Sequence, residues 1–462
     1  MNIIISLFRL INSEIISLNQ TLNMKTMKHR YLIWGLAAFT LSFNACIKND
    51  IPTPTDNPGT ADFSRYISVG NSITSGYADG GLYLAGQQNS FPNLLAGQMK
   101  LVGGGAFTSP YFPADQANGS GYLKLTGLNM DGTPIITPVV AQAERGHTNI
   151  SGIDVTLYTK YTGDLNNYGV PGIRLSDITN SYYGNLNGFY ERLLPGNAGN
   201  NTTPYLDFVT AKPFTFFTCW LGNNDALGYA TSDGVAASSA LTPKDIFATL
   251  YNTAVATLTK NGAKGVVTTI PDVTVIPYFH YITVQALLAG AQKISPFFQA
   301  VYIQALDASG SYTTRAATNN DLIMLTFDTS TFGQTVNGKA FYGLSPANPL
   351  LSKEVLDANE AAKVQDYVLT YNAAIKAVAT LYNLPVFDSY TLLNQLKNGV
   401  TQDGVTINTN FITGGFFSLD GVHFTPRGNA YVTDEIIKVI NAKYGSNIPA
   451  LNISAYSAVK VQ

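Results

Sequence analysis

The chain has 462 residues, enough for one enlarged α/β domain or for several smaller ones. Lys and Arg total 27 against 29 Asp and Glu, a net charge of −2, and only 12% of residues are charged, which leaves no basic footprint for a nucleic acid. An apolar content of 45%, with 27 Tyr and 24 Phe, supports a sizeable core and excludes disorder for the bulk of the chain.

Residues 1–23 hold a short apolar run broken by Arg9 and Glu14, and Met24 and Met27 mark them as an upstream start. From Met27, the basic flank Lys28-His29-Arg30 leads into an apolar run over 31–41 and then Ser42-Phe43-Asn44-Ala45-Cys46. A basic flank, ~7–15 apolar residues and a small residue before the cut describe a secretory signal. A cysteine just after that small residue resembles a bacterial lipoprotein signal, in which Cys46 becomes the acylated first residue. Phe43 and Asn44 depart from its strictest form, and an ordinary signal peptide with an incidental cysteine is the alternative. The expectation is an exported protein of the outer membrane or cell surface, touching the membrane only through that lipid anchor. Nothing after residue 46 reaches the ~18 uninterrupted apolar residues of a membrane span. With Cys46 lipidated, Cys219 has no disulfide partner and reads as a small buried apolar residue.

Residues 47–62, with Pro52, Pro54, Pro58 and Gly59, read as a flexible tether, and a single domain is expected over 63–462. Residues 66–69, 214–221, 265–270 and 384–387 are short apolar runs that predict strands. Between them, 243–260 predicts a helix capped by Thr242 and stopped before Gly262, and 360–382 predicts a second helix. Strands alternating with helices predict a parallel sheet covered on both faces. Two stretches read as insertions: 101–165, rich in Gly, Asn and aromatics such as Tyr122 and Tyr158, and 274–350, which opens strongly apolar.

Ser72 follows the first predicted strand in Gly70-Asn71-Ser72, so its hydroxyl stands at the carboxyl edge of the sheet, where open α/β folds place their ligands. A hydroxyl is a weak nucleophile until a base takes its proton. Of four histidines, His29 lies in the leader, and neither His147 nor His280 has an acidic residue in a recognisable orienting pattern. His423 does: Asp420 stands three residues upstream, and Thr425-Pro426 then opens a helix. Gly222-Asn223-Asn224-Asp225 follows another strand, and an asparagine amide there can donate to an oxyanion. Tyr168-Gly169-Val170-Pro171-Gly172 offers a backbone N–H at Gly172. Taken singly, Ser72 reads as a turn or cap residue, Asn224-Asp225 as a turn, and Asp420 to His423 as a helix-capping motif.

These four segments, in this order, resemble the blocks of the SGNH/GDSL hydrolases over most of the chain. The resemblance implies a flavodoxin-like three-layer α/β/α fold with a central parallel sheet carrying the two insertions. It implies Ser72 as nucleophile, His423 as base, Asp420 as its orienter, and an oxyanion hole from the Ser72 and Gly172 N–H groups and the Asn224 side chain. Asn71 stands where the family usually has Asp. The expected activity is ester hydrolysis through an acyl-enzyme, with no metal or organic cofactor. Short-acyl or acetyl esters, with carbohydrate among the alcohols, are favoured. A lipase for longer acyl chains and an idle surface glycan-binding relative are the alternatives. The insertions are expected to rise over the sheet edge as walls or lids.

Overall fold

The computed structural model describes residues 57–461 apart from 131, 233–238 and 308. The leader, Cys46 and the tether up to residue 56 lie outside the described residues.

Five strands form the central sheet: β1 (Tyr66–Gly70), β2 (Asn167–Gly169), β3 (Phe216–Trp220), β4 (Lys264–Thr268) and β5 (Val386–Phe387). Their order is β5-β4-β3-β1-β2, and every neighbouring pair is parallel. That is the flavodoxin-like order, in which all carboxyl ends share one edge. Parallel sheets are covered on both faces, so their strands must be apolar or internally satisfied throughout. Accordingly every residue of β1 and β3 is buried.

Five helices flank the sheet or the site: α1 (Phe91–Lys100), α2 (Asn224–Ala230), α3 (Lys244–Thr259), α4 (Ala358–Leu381) and α5 (Pro426–Tyr444). On one face of β3, Trp220 meets Phe91 of α1 at 5.5 Å and Phe216 meets Tyr444 of α5 at 5.7 Å. On the other, Cys219 touches Tyr251 of α3, and Phe247 of α3 stacks on Tyr371 of α4 at 3.8 Å. The result is the expected α/β/α sandwich, with Cys219 buried in it. Capping residues set the helix ends. Thr425 accepts from Gly428 N and Pro426 opens α5, while Asp357 and Glu360 form a reciprocal capping box at the start of α4.

Several expectations need correction. Thr242 does not cap α3; Pro243 stands there, and the Thr242 hydroxyl donates instead to Asp225 at 2.6 Å. Strand β2 was not anticipated, because Asn167-Tyr168-Gly169 carries no apolar run. The last tether residues, from Asn57, are fastened to the domain. Thr60 N donates to Tyr444 O at 2.8 Å and Asn447 N to Asn57 O at 3.0 Å, so the fold includes residues placed outside it by composition.

The first insertion consists of two antiparallel hairpins, Tyr122–Leu128 with Pro134–Val139 and Glu144–Ile150 with Ile153–Tyr158. The second contains a helix (Val284–Ile294), a hairpin (Tyr302–Leu306 with Tyr312–Ala316) and a small core around Val284, Ile303 and Leu350. Its apolar opening is therefore divided: Val275, Ile276 and Phe279 join the main core, and Val284 starts the second one. No described helix is long and apolar enough to cross a membrane.

Candidate active site

At the end of β1 the chain turns into a single helical turn, Ser72–Ser75. Asn71 caps it, its Oδ1 accepting from Ile73 N at 3.1 Å. The cap thus falls to Asn71 and the Ser72 hydroxyl is left for other partners. Asn71 is 1% exposed, and its Nδ2 has no hydrogen-bond partner among the described residues. As the first helical residue, Ser72 also presents a backbone N–H with no acceptor inside the turn.

Ser72 Oγ lies 2.8 Å from His423 Nε2, and His423 Nδ1 lies 2.8 Å from Asp420 Oδ2. With Nδ1 protonated and donating to the carboxylate, Nε2 accepts the serine proton. Asp420 is held by further donors: Val422 N, His423 N and Ser418 Oγ reach Oδ1 at 2.9, 2.8 and 3.1 Å, and Gly80 N reaches Oδ2 at 2.9 Å. Burial alone would raise this carboxyl, but the His423 charge and the hydrogen bonds from His423 and Gly80 outweigh it and hold it well below the ordinary carboxylate range.

Sequence reading missed the support behind this chain of bonds. Asp79 accepts from Leu419 N at 2.9 Å and from the Tyr83 hydroxyl at 2.6 Å, and its own N–H donates to Ser418 Oγ at 2.9 Å. The loop bearing Asp420 and the loop after Ser72 therefore clamp each other reciprocally, across 340 positions in the chain. Asp79 holds this position at φ 52°, a left-handed conformation that marks the turn as constrained. The ring of Tyr77 lies 4.8 Å from the His423 imidazole and packs it from the side.

Gly172, at φ 83°, needs the conformational freedom of glycine rather than the space, since an added Cβ would meet only Asn187 Nδ2 at 3.5 Å. Gly222 needs both: it sits at φ 104°, and a Cβ would come within 2.8 Å of the Phe247 ring. Asn224 Nδ2 donates to Ile173 O at 2.9 Å. An amide nitrogen carries two hydrogens, so this bond orients the group and leaves a second N–H. Ser72, Gly172, Asn224 and His423 all line one open cleft of about 420 Å³.

Asp225, fully buried, ties the Asn224 segment to the Gly172 loop by accepting from Leu175 N at 2.7 Å and from Thr242 Oγ1 at 2.6 Å. Burial pushes its carboxyl up to about 6, although both bonds oppose the rise. A folded pKa above the unfolded one means stability that is full below about pH 4 and is lost as pH rises through about 6. Asp225→Asn stays neutral, and the Thr242 hydroxyl can turn to accept from its amide. In urea unfolding, wild-type stability relative to this variant is expected to rise by about 2 kcal/mol as pH falls from about 7.5 to about 4. A difference independent of pH would refute the burial argument.

The first insertion forms one wall of the cleft. Asp154, Val155, Thr156 and Tyr158 of the second hairpin line it beside Ser72, and Tyr158 stacks on Phe189 at 4.5 Å. The same hairpin corrects the reading of His147, whose Nε2 lies 2.9 Å from Glu144 and Nδ1 3.0 Å from Asp154. These bonds, that to Asp154 foremost, raise its pKa. Glu144 stands three residues upstream of His147, the spacing of Asp420 to His423, and is readable in the sequence, whereas Asp154 is brought back only by the hairpin fold. On another side of Ser72 and His423 lies a small apolar pocket of about 30 Å³, walled by Ile73, Leu227, Val273, Ile276, Leu393 and Phe417.

Among comparisons with known proteins, the family model for GDSL-like lipase/acylhydrolases matches residues 66–436. The crystal structure of LAE5, an alpha/beta hydrolase enzyme from the metagenome of Lake Arreo, Spain, is similar over 82% of this chain and 96% of its own, at 9% identity and a TM-score of 0.35. No curated protein matches the chain.

Proposed function

The chain belongs to the GDSL-like lipase/acylhydrolase family, which makes it a hydrolase of ester bonds, and from that premise we propose a serine esterase acting through an acyl-enzyme on short-acyl, chiefly acetyl, esters of carbohydrate. The observation that carries this reading is the hydrogen-bonded chain Ser72–His423–Asp420, 2.8 Å at each link, opening on a cleft shared with Gly172 and Asn224.

In the first half-reaction Ser72 Oγ attacks the ester carbonyl carbon while His423 Nε2 takes its proton. The carbonyl oxygen becomes an oxyanion facing the Ser72 and Gly172 N–H groups and the second N–H of Asn224. Collapse breaks the bond to the alcohol, which leaves with the proton from His423. Water then attacks the acyl-serine, with His423 again as base, and releases the carboxylic acid. Asp420 orients the ring and stabilises the imidazolium throughout.

The two cavities beside Ser72 support the choice of substrate. At ~10–15 Å³ per water, the apolar pocket has room for about two heavy atoms, which suits an acetyl group and excludes a long chain without rearrangement. The wider cleft, with Asp154, Thr156, Asn187 and the rings of Tyr77, Tyr158 and Phe189, suits the hydroxyls and apolar faces of a sugar. A series of p-nitrophenyl esters tests this directly. kcat/KM is expected to be highest for acetate and to fall steeply from butyrate to octanoate; a maximum at octanoate or palmitate would favour the lipase reading.

A further inference from the structure

A cavity larger than either of those at Ser72 lies elsewhere in the described residues. It is a cleft of about 730 Å³ built by the second insertion, the start of α4 and the loop around Phe411. It shares no lining residue with either cavity at Ser72. Its lining is distinctive in what it contains: the carboxamides of Asn319, Asn320, Gln365 and Asn410 with the rings of Tyr281 and Phe411, and no carboxylate at all.

That chemistry narrows the ligand. Without a carboxylate the cleft is no site for a divalent cation. Four amides and two threonine hydroxyls make it too polar for an acyl chain, and Lys397 alone is too little positive charge for a polyphosphate. Carboxamides carry both donors and acceptors and so match hydroxyl groups, which do the same. Tyr281 is 41% exposed, and its ring meets that of Phe411 at 4.7 Å with 56° between planes, giving an angled apolar platform at the rim. Next to Phe411, Ile412 is held at φ 62°, a conformation β-branched residues avoid, and the backbone bond from Gly414 N to Asn410 O closes the loop.

We infer that this cleft is a second carbohydrate site, which holds a stretch of the oligosaccharide chain whose ester is presented to Ser72; the inference rests on the carbohydrate-ester reading above. One segment, 273–277, borders both the acyl pocket and the cleft. Val273 and Ile276 line the pocket, whereas Thr274, Val275 and Pro277 of the same segment line the cleft. One residue on, Tyr278 N donates to Gly421 O in the loop that carries Asp420 and His423.

The test is binding by calorimetry, with Ser72→Ala protein and ester-free xylohexaose, cellohexaose, mannohexaose and chitohexaose as probes. At least one is expected to bind with Kd below about 1 mM, and Phe411→Ala and Tyr281→Ala, each checked for an unchanged melting temperature, are expected to weaken it about tenfold or more. Tyr281→Ala keeps the test decisive if Phe411→Ala does not fold, because its ring is the more exposed. Absence of binding to all four probes, or binding undiminished by the substitutions, overturns the inference. If p-nitrophenyl acetate is still hydrolysed by the unsubstituted protein in that case, the second site falls and the esterase reading stands; if binding is found without hydrolysis, the esterase reading falls instead.

Discussion

Ser72→Ala and His423→Ala are each expected to lower ester hydrolysis by about 10⁴-fold or more, with the double variant no worse than either single. The hydroxyl is nucleophilic only while Nε2, 2.8 Å away, accepts its proton, so removing either atom removes the same event. Strictly additive losses would show that the two side chains act separately. Asp420→Asn should be damaging but less complete. Its amide nitrogen would have to face either the Nδ1–H and Gly80 N–H pair or the donors at Oδ1, and both sides already donate. The ring would turn or change tautomer, yet the nucleophile and base would remain.

The second large effect belongs to Asn224. Asn224→Ala is expected to lower kcat by about 10²–10³ with little change in KM, the loss of one donor that matters when charge develops on the carbonyl oxygen. The bond to Ile173 O holds the amide in one orientation, so that donor is fixed before the substrate arrives. A variant changed only in KM would make Asn224 a substrate-binding residue.

Much of this architecture is legible in one dimension because buried parallel strands must be short apolar runs. β1, β3, β4 and β5 stand out for that reason, and Ser72 and Asn224 lie just past β1 and β3. The edge strand β2 does not, since Asn167-Tyr168-Gly169 has neither length nor apolarity. The spacing of Asp420 and His423 is local and readable, whereas Asp79 meets Leu419 only after the chain has closed on itself. Likewise Thr242 looks like a cap in sequence but serves Asp225, because a buried carboxylate competes for the hydroxyl more strongly than an exposed helix end. His147 shows the same limit: one of its two carboxylates is delivered by hairpin register, not by proximity in sequence. The tether boundary was placed by composition, which cannot anticipate that Thr60 would find an open carbonyl at the end of α5.

The acyl-enzyme itself is the most direct test of the central claim. Protein mixed with p-nitrophenyl acetate is quenched in acid within the first turnovers, digested and mapped by mass spectrometry. An acetyl group on the Ser72 peptide, absent from Ser72→Ala, is the expected result. Turnover with Ser72 unmodified, or an acetyl group carried by another residue while Ser72→Ala remains active, would contradict the account.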